Sequence, residues 1–201
     1  IDVGSTTTDI LPFARRRLAC RGWNDTDRLL AGELVYTGVE RSPVAGIVSH
    51  LPLRGKFIPV MNELFATSLD AHLLLGHLPE DKSATNTADG RPATKKYAHA
   101  RLARMVGGDA TTISREEAIE IARYIVDQQA ERIAAALRQV CAKFTPREIL
   151  HSGHGRPLVE LALKKALPDA VYRHVATDDA NLSRSLPAVA VAILAQEHFA
   201  S

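Results

Sequence analysis

Two cysteines, Cys20 and Cys141, among 201 residues cannot build a disulfide scaffold, and they fit a reducing, cytoplasmic setting. No apolar run approaches the ~18 residues of a membrane span. No cationic segment leading into an apolar stretch marks a secretory leader. Basic residues are not concentrated either: residues 1–60 carry 8 Lys+Arg against 6 Asp+Glu, residues 61–147 carry 12 against 11, and residues 148–201 carry 5 against 6. Neither a membrane nor a nucleic acid is therefore an expected partner. The densest basic spot, Arg15-Arg16-Arg17, reads as a solvated turn. There is no internal repeat and no low-complexity tract. What is present, 46% hydrophobic and 24% charged residues with a formal net charge of +2, suffices for one good core or two small ones.

The opening Ile1-Asp2-Val3-Gly4 reads as the last residues of a strand that begins upstream, so the chain is expected to be the C-terminal portion of a longer protein; a processed N-terminus is the other reading. Residues 1–4 and 8–13, flanking Ser5-Thr6-Thr7, predict a β-hairpin. Turn signals from Gly22 to Gly55 separate short strands predicted near 34–37, 46–49 and 57–60. Apolar periodicity predicts helices over 62–78 and 97–106, with a long exposed loop between them over 79–94. Ser114 with Glu117 three residues on forms a capping box that opens the clearest helix, to about 143. After it, strands 148–151 and 170–175 bracket a helix entered at Pro157, a parallel βαβ unit, and a last helix is predicted over 186–199. The fold class is α/β.

The most informative stretch is Asp2-Val3-Gly4-Ser5-Thr6-Thr7-Thr8-Asp9. Gly4 lets backbone N–H groups approach an anion, the hydroxyls can donate to phosphate oxygens, and Asp2 and Asp9 bracket the turn as candidate ligands for hydrated Mg²⁺. A polar turn with threonines chosen for strand propensity is the alternative. Gly153-His154-Gly155, between a strand and a helix N-terminus, is placed where open α/β sheets bind ligands; a tight βα connection explains it as well. Two such loops suggest a cleft for a phosphorylated small molecule.

These residues carry a resemblance. The nonapeptide Asp2 to Ile10 resembles the second phosphate loop of the acetate kinase/heat-shock chaperone/actin superfamily, in the spelling of its hydantoinase/oxoprolinase branch. Asp27-Arg28-Leu29, Gly32-Glu33-Leu34-Val35-Tyr36-Thr37-Gly38, Glu63-Leu64-Phe65-Ala66-Thr67, Thr87-Ala88-Asp89-Gly90-Arg91 and Arg101-Leu102-Ala103-Arg104-Met105 are similar to the tetrahydromethanopterin-linked one-carbon transfer family. Archaeal relatives of that family include the synthase of the furan-methanamine core of methanofuran. The resemblance covers about 1–165 and implies a ribonuclease-H-like (actin-like ATPase) domain with a mixed sheet. Residues 1–60 and 148–201 would form that core and 61–147 a mainly helical insertion, while the family's upstream phosphate-loop domain is absent from this sequence.

By the same resemblance, Gly4, Ser5, Thr6, Thr7 and Thr8 face phosphate and Asp2 or Asp9 faces Mg²⁺. Gly153 and Gly155 match the turn beside the adenosine in relatives that use ATP, although His154 stands where a small or acidic residue is expected. The implied reaction is a transfer: a phenol displaces diphosphate from an aminomethylfuran diphosphate. Asp89 is the candidate base. An ATP-dependent amidohydrolase and a non-catalytic nucleotide-binding regulator are the competing readings.

Other residues are ambiguous at this level. Arg101 and Arg104 share a helix face and pair either with an anionic ligand or with a carboxylate. Glu33 touches substrate or holds the Gly32 turn. His72 and His77 read as boundary residues of a Leu-rich helix, and His151 with His154 lacks a third zinc ligand at a convincing spacing. Neither cysteine has a histidine motif for thiol catalysis, and Ser152 is not in a nucleophile elbow. The sequence does not fix the oligomeric state.

Overall fold

The computed structural model describes residues 1–15, 17–175, 191–193 and 196. Its architecture is mixed α/β. The hairpin forms as expected: β1 (Asp2–Val3) pairs antiparallel with β2 (Thr8–Asp9), Asp2 opposite Asp9 and Val3 opposite Thr8. The strand expected over 8–13 breaks after Asp9. Ile10 N donates to Glu33 O at 2.8 Å, Pro12 has no N–H to continue a ladder, and a separate hairpin follows, β3 (Phe13–Ala14) with β4 (Arg17–Leu18).

Helix α1 (Asp25–Ala31) was not foreseen. Asn24 caps it, accepting from Asp27 N at 2.9 Å, and Gly32 ends it at φ +76°. β5 (Leu34–Val35) then adds antiparallel to β2. The strand expected over 46–49 is instead a helical turn, α2 (Val44–Ile47), because Pro43 presets its entry and Val44 N is taken by Ala66 O at 3.1 Å. β6 (His50–Leu53) and β7 (Lys56–Pro59) form a hairpin around Arg54 and Gly55, both at positive φ.

The helix expected over 62–78 shrinks to α3 (Ser68–Leu74). Its start is reset by Asp70, whose Oδ2 accepts from Thr67 N at 3.0 Å, and Gly76 at φ +76° marks its exit. Local capping here outweighs apolar periodicity, which cannot see where a backbone N–H finds its partner. The 79–94 segment is irregular, as expected, and joins α4 (Lys95–Arg104). The capping box at Ser114 and Glu117 closes in both directions, at 3.1 and 2.7 Å, and opens the 27-residue α5 (Arg115–Cys141).

The closing βαβ unit is also present. β8 (Ile149–His151) and β9 (Tyr172–His174) run parallel across α6 (Arg156–Ala166). The last helix expected, over 186–199, lies outside the described residues. Ile121, Ile125, Ile133 and Leu137 of α5 and Leu158 and Leu163 of α6 bury into one core cluster with Val3, Leu51, Leu73 and Leu102. The segments 1–60, 61–147 and 148–166 thus share a single apolar interior. No described helix is long and apolar enough to cross a membrane.

A seam of backbone joins residues 1–3 to residues 152–155. Ser152 bridges Asp2 in parallel, Ser152 N donates to Ile1 O at 2.8 Å, Val3 N to Ser152 O at 3.2 Å and Gly155 N to Val3 O at 3.1 Å. Glycine is required there: a Cβ on Gly153, at φ +85°, would stand 2.3 Å from Val3 O, and one on Gly155 would stand 2.2 Å from Val3 Cγ1. Gly153→Ala is therefore expected to cost about 3 kcal/mol in urea denaturation. Gly46→Ala, with open space around its Cβ, should change stability by under ~1 kcal/mol.

Candidate active site

The Ser5-Thr6-Thr7 loop lies between two glycine turns. On one side is the Gly153 turn just described. On the other, a Cβ on Gly38 would stand 2.6 Å from Gly4 O, Ser5 C and Thr6 N, so the Gly38 turn lies directly against the loop backbone. Val39 N donates to Gly4 O at 3.1 Å, and Glu40 N and Arg41 N donate to Ser5 O at 3.0 and 2.9 Å. Gly4 N closes the loop on Thr7 O at 3.0 Å. The loop's carbonyls at Gly4, Ser5 and Thr7 are thus engaged, whereas the N–H groups of Ser5, Thr6 and Thr7 have no acceptor among the described residues. Successive unpaired N–H groups on a tight loop make an anion-binding nest.

The side chains divide. Ser5 and Thr6 hydroxyls lie 3.4 Å apart on the loop. Thr8, fully buried, donates its hydroxyl to Thr37 O at 2.9 Å and so stands in the sheet rather than on the anion-facing loop. Asp2 and Asp9 are cross-strand partners. Asp2 Oδ1 accepts from Ser152 Oγ at 2.6 Å, and Asp9 Oδ1 pairs with Arg28 at 2.6 Å. Each carboxylate keeps its other oxygen without a hydrogen bond from a described residue. That donor set suits a hydrated Mg²⁺ on Asp2 better than on Asp9, which is already neutralised by Arg28. Among the described residues, no group of three or more His, Cys, Asp and Glu side chains is arranged to hold a metal.

His154 Nε2 lies 3.3 Å from Glu40 Oε1, a charge contact without hydrogen-bond geometry, and ties the Gly153 turn to the Gly38 turn. A recess of about 220 Å³ opens beside the loop, lined among others by Thr6, Tyr36, Arg41 and Ser42. Arg41 has no carboxylate partner among the described residues. A larger groove, about 830 Å³, runs along β6, β7 and α5 and includes no residue of the loop. Of the two, the smaller recess is the one that a residue of the loop, Thr6, lines.

Four further candidates lie elsewhere. Glu33 is buried and both its oxygens are occupied, by Arg21 N at 2.7 Å and Gly22 N at 3.1 Å, so it holds the turn before α1. Arg104 lies 5.8 Å over the Phe65 ring, and it does not share the environment of Arg101. Arg101, fully buried, pairs with Asp70 at 2.7 Å and with Asp89 at 2.9 Å. Asp89 is partly buried, which pushes its carboxyl up. Hydrogen bonds from Arg91 N, Arg101 and Thr87 outweigh that and hold it below the usual carboxylate range. A carboxylate held that way is a poor proton acceptor near neutral pH. This cluster is linked to the loop through α3, where Ser42 N donates to Ser68 Oγ at 3.3 Å and Leu69 N to Glu40 O at 3.3 Å.

His72 is a core residue rather than a boundary one. Its ring is fully buried, bonded to Gln129 at 3.2 Å and to His77 at 3.0 Å. Gln129, Thr37 and Ser42 were all missed as site residues. Burial raises both cysteine thiols above their ordinary value.

The hydantoinase/oxoprolinase family model matches residues 1–156. The chain belongs to the hydantoinase/oxoprolinase family. Two relatives are each 27% identical over 197 residues, one from Methanocaldococcus jannaschii and one from Methanococcus vannielii. Both are named (4-{4-[2-(gamma-L-glutamylamino)ethyl]phenoxymethyl}furan-2-yl)methanamine synthase. The alignments cover 98% and 96% of this chain, 58% of the M. jannaschii protein and 88% of the M. vannielii protein. The chain thus spans little more than half of the first relative.

Two outcomes follow from the buried polar groups. Thr8→Val leaves Thr37 O without its donor and should cost about 1–2 kcal/mol of stability in urea denaturation. Burial, then the neighbouring His77, depresses His72 to about 3, and burial, then His174, depresses His151 to about 4. Below pH 6.5 the unfolded chain takes up protons that the folded chain refuses, so stability falls as pH drops from 6.5 toward 3. His72 alone should remove about 2 kcal/mol between pH 7 and pH 5. Urea midpoints across that range should show the loss, and His72→Gln should remove about half of it, His151 accounting for the rest.

Proposed function

We propose that this chain carries the diphosphate-binding part of a transferase that builds a furan-containing one-carbon carrier. The observation that carries this reading is the loop whose N–H groups at Ser5, Thr6 and Thr7 have no acceptor among the described residues, beside Arg41, which has no carboxylate partner among them. The two relatives named as synthases supply the chemistry: their product joins a phenol to a furan through an oxygen–methylene link. In the proposed step the phenol oxygen forms a bond to the furan methylene carbon. The carbon–oxygen bond to diphosphate breaks, the electron pair leaves with diphosphate, and the phenolic proton passes to a base.

Negative charge grows on the departing oxygen, and preorganised donors aimed at that charge lower the barrier. The N–H groups of Ser5, Thr6 and Thr7, with the hydroxyls of Ser5 and Thr6, are those donors, and Arg41 faces the same recess. Mg²⁺ would be held by Asp2, with Asp9 behind it, and would neutralise diphosphate charge. Asp89, tied to Arg101, orders the 79–94 loop rather than taking the proton. In this reading the sheet β5–β2–β1 with β8–α6–β9 is a ribonuclease-H-like core in residues 1–60 and 148–201. Residues 61–147 are its helical insertion, and the protein works in the cytoplasm.

The family's name favours a second reading, ATP-dependent hydrolysis of a cyclic amide. Calorimetric titration with Mg²⁺ and pyrophosphate, an aminomethylfuran diphosphate analogue or ATP separates the two. The transferase reading expects pyrophosphate or the furan diphosphate to bind at least ~10-fold tighter than ATP. It also expects Thr6→Ala with Arg41→Ala to weaken that binding about 10-fold, or ~1.4 kcal/mol. Tighter ATP binding would favour the amidohydrolase, and no binding of any of the three would remove the anion site.

A further inference from the structure

α5 is apolar on its buried face except at one place. Gln129, fully buried, sits four residues from Ile125 and four from Ile133. Its Nε2 donates to Thr37 Oγ1 at 2.7 Å and to Gly38 O at 2.8 Å. A backbone carbonyl only accepts, so the amide orientation is fixed and Oε1 points at His72 Nε2, 3.2 Å away. An amide oxygen also only accepts, so His72 Nε2 carries the hydrogen. The ring is neutral in its buried position, which leaves Nδ1 a bare acceptor, and His77 Nδ1, 3.0 Å away, must donate to it. Each proton in the chain His77 to His72 to Gln129 to the Gly38 turn is thereby assigned.

We propose that Gln129, held in orientation by His72 and His77, is the positioning residue of the threonine loop. It fixes Thr37 and Gly38. The next three residues, Val39, Glu40 and Arg41, engage the carbonyls of Gly4 and Ser5, and the N–H groups of residues 5–7 have no acceptor among the described residues. A hydrophobic residue at 129 would remove both of these bonds and leave the turn to Ser42 Oγ, which accepts from Gly38 N at 3.1 Å, and to Thr8, which donates to Thr37 O, so the turn and the carbonyl contacts it makes would loosen. The inference rests on the anion-binding reading for its consequence, but the brace itself is a property of the fold.

Three measurements test it. Long-range ¹H–¹⁵N spectra of the wild-type protein should show His72 protonated at Nε2 and His77 at Nδ1; the opposite pattern at His72 would overturn the assignment. Hydrogen exchange should then be about 10-fold faster or more at Val39, Glu40 and Arg41 in Gln129→Met. The half-buried His77→Ala, expected to fold normally, should show a smaller acceleration at the same amides. Pyrophosphate affinity should fall about 10-fold in Gln129→Met, but not in Leu163→Ala, a core variant of α6 that lowers stability away from the turn. Unchanged exchange at the three amides in both variants would overturn the brace. If wild type binds no pyrophosphate, the functional reading fails, and the exchange and tautomer results still decide the positioning role.

Discussion

Everything near the candidate site depends on three backbones lying closer than side chains allow. The Gly38 turn, the Val3–Thr6 segment and the Gly153–Gly155 turn are pressed together. Hypothetical Cβ atoms on Gly38, Gly153 and Gly155 would fall 2.6, 2.3 and 2.2 Å from neighbouring atoms. This contact links residues separated by about 150 positions and turns two unconnected hairpin and βαβ pieces into one sheet edge. Main-chain donors are already ordered and need little reorganisation when an anion arrives.

Charge in this protein is used in two physically different ways. Arg101 with Asp70 and Asp89 is a largely buried cluster in which Arg101 Nε and Nη1 donate to the two carboxylates while Nη2, 2.7 Å from Asp70 Oδ1, lacks hydrogen-bond geometry, and removing one partner would strand a buried charge at a cost of about 3–5 kcal/mol. That magnitude is typical of a structural fastener and says nothing for ligand binding. Arg41, by contrast, is exposed, lines the recess and has no carboxylate partner among the described residues. As an ion pair it would contribute little, since exposed pairs are worth at most about 1 kcal/mol. Beside a multiply charged diphosphate the same guanidinium has more to gain. The contrast gives Arg101 to the fold and, in the anion-binding reading proposed above, Arg41 to the site.

Much of this was legible in the sequence where a local rule governed the outcome. The hairpin around Ser5 to Thr7, the capping box at Ser114 and Glu117, and the parallel βαβ ending each follow from a few adjacent residues. The family was legible from the nonapeptide and the further stretches. The failures lie where a distant partner decides. Helix α3 begins at Ser68 because Asp70 caps it, and residues 44–47 turn helical because Ala66 O waits for Val44 N. Thr8 looked like its neighbours Thr6 and Thr7, but strand alternation turns it inward to Thr37. Glu33 and Arg101 were chosen for their charge, and only burial reveals that their charges are spent. One signal was available and unread: a glutamine inside an isoleucine stripe at four-residue spacing.

That glutamine shows why a core should contain such a residue at all. A buried amide loses its hydration, and each net hydrogen bond returns only about 1 kcal/mol, so packing stability alone would favour an aliphatic side chain at 129. What the amide supplies is direction. Two donors and one acceptor with no freedom to exchange places fix the Gly38 turn in one orientation, whereas an apolar contact tolerates several. His72 extends the constraint by being neutral and therefore able to donate on one nitrogen and accept on the other. The chain trades a little core stability for a loop whose carbonyls point one way and whose N–H groups point the other. An oxyanion site requires that polarity, and no arrangement of threonine hydroxyls provides it by itself.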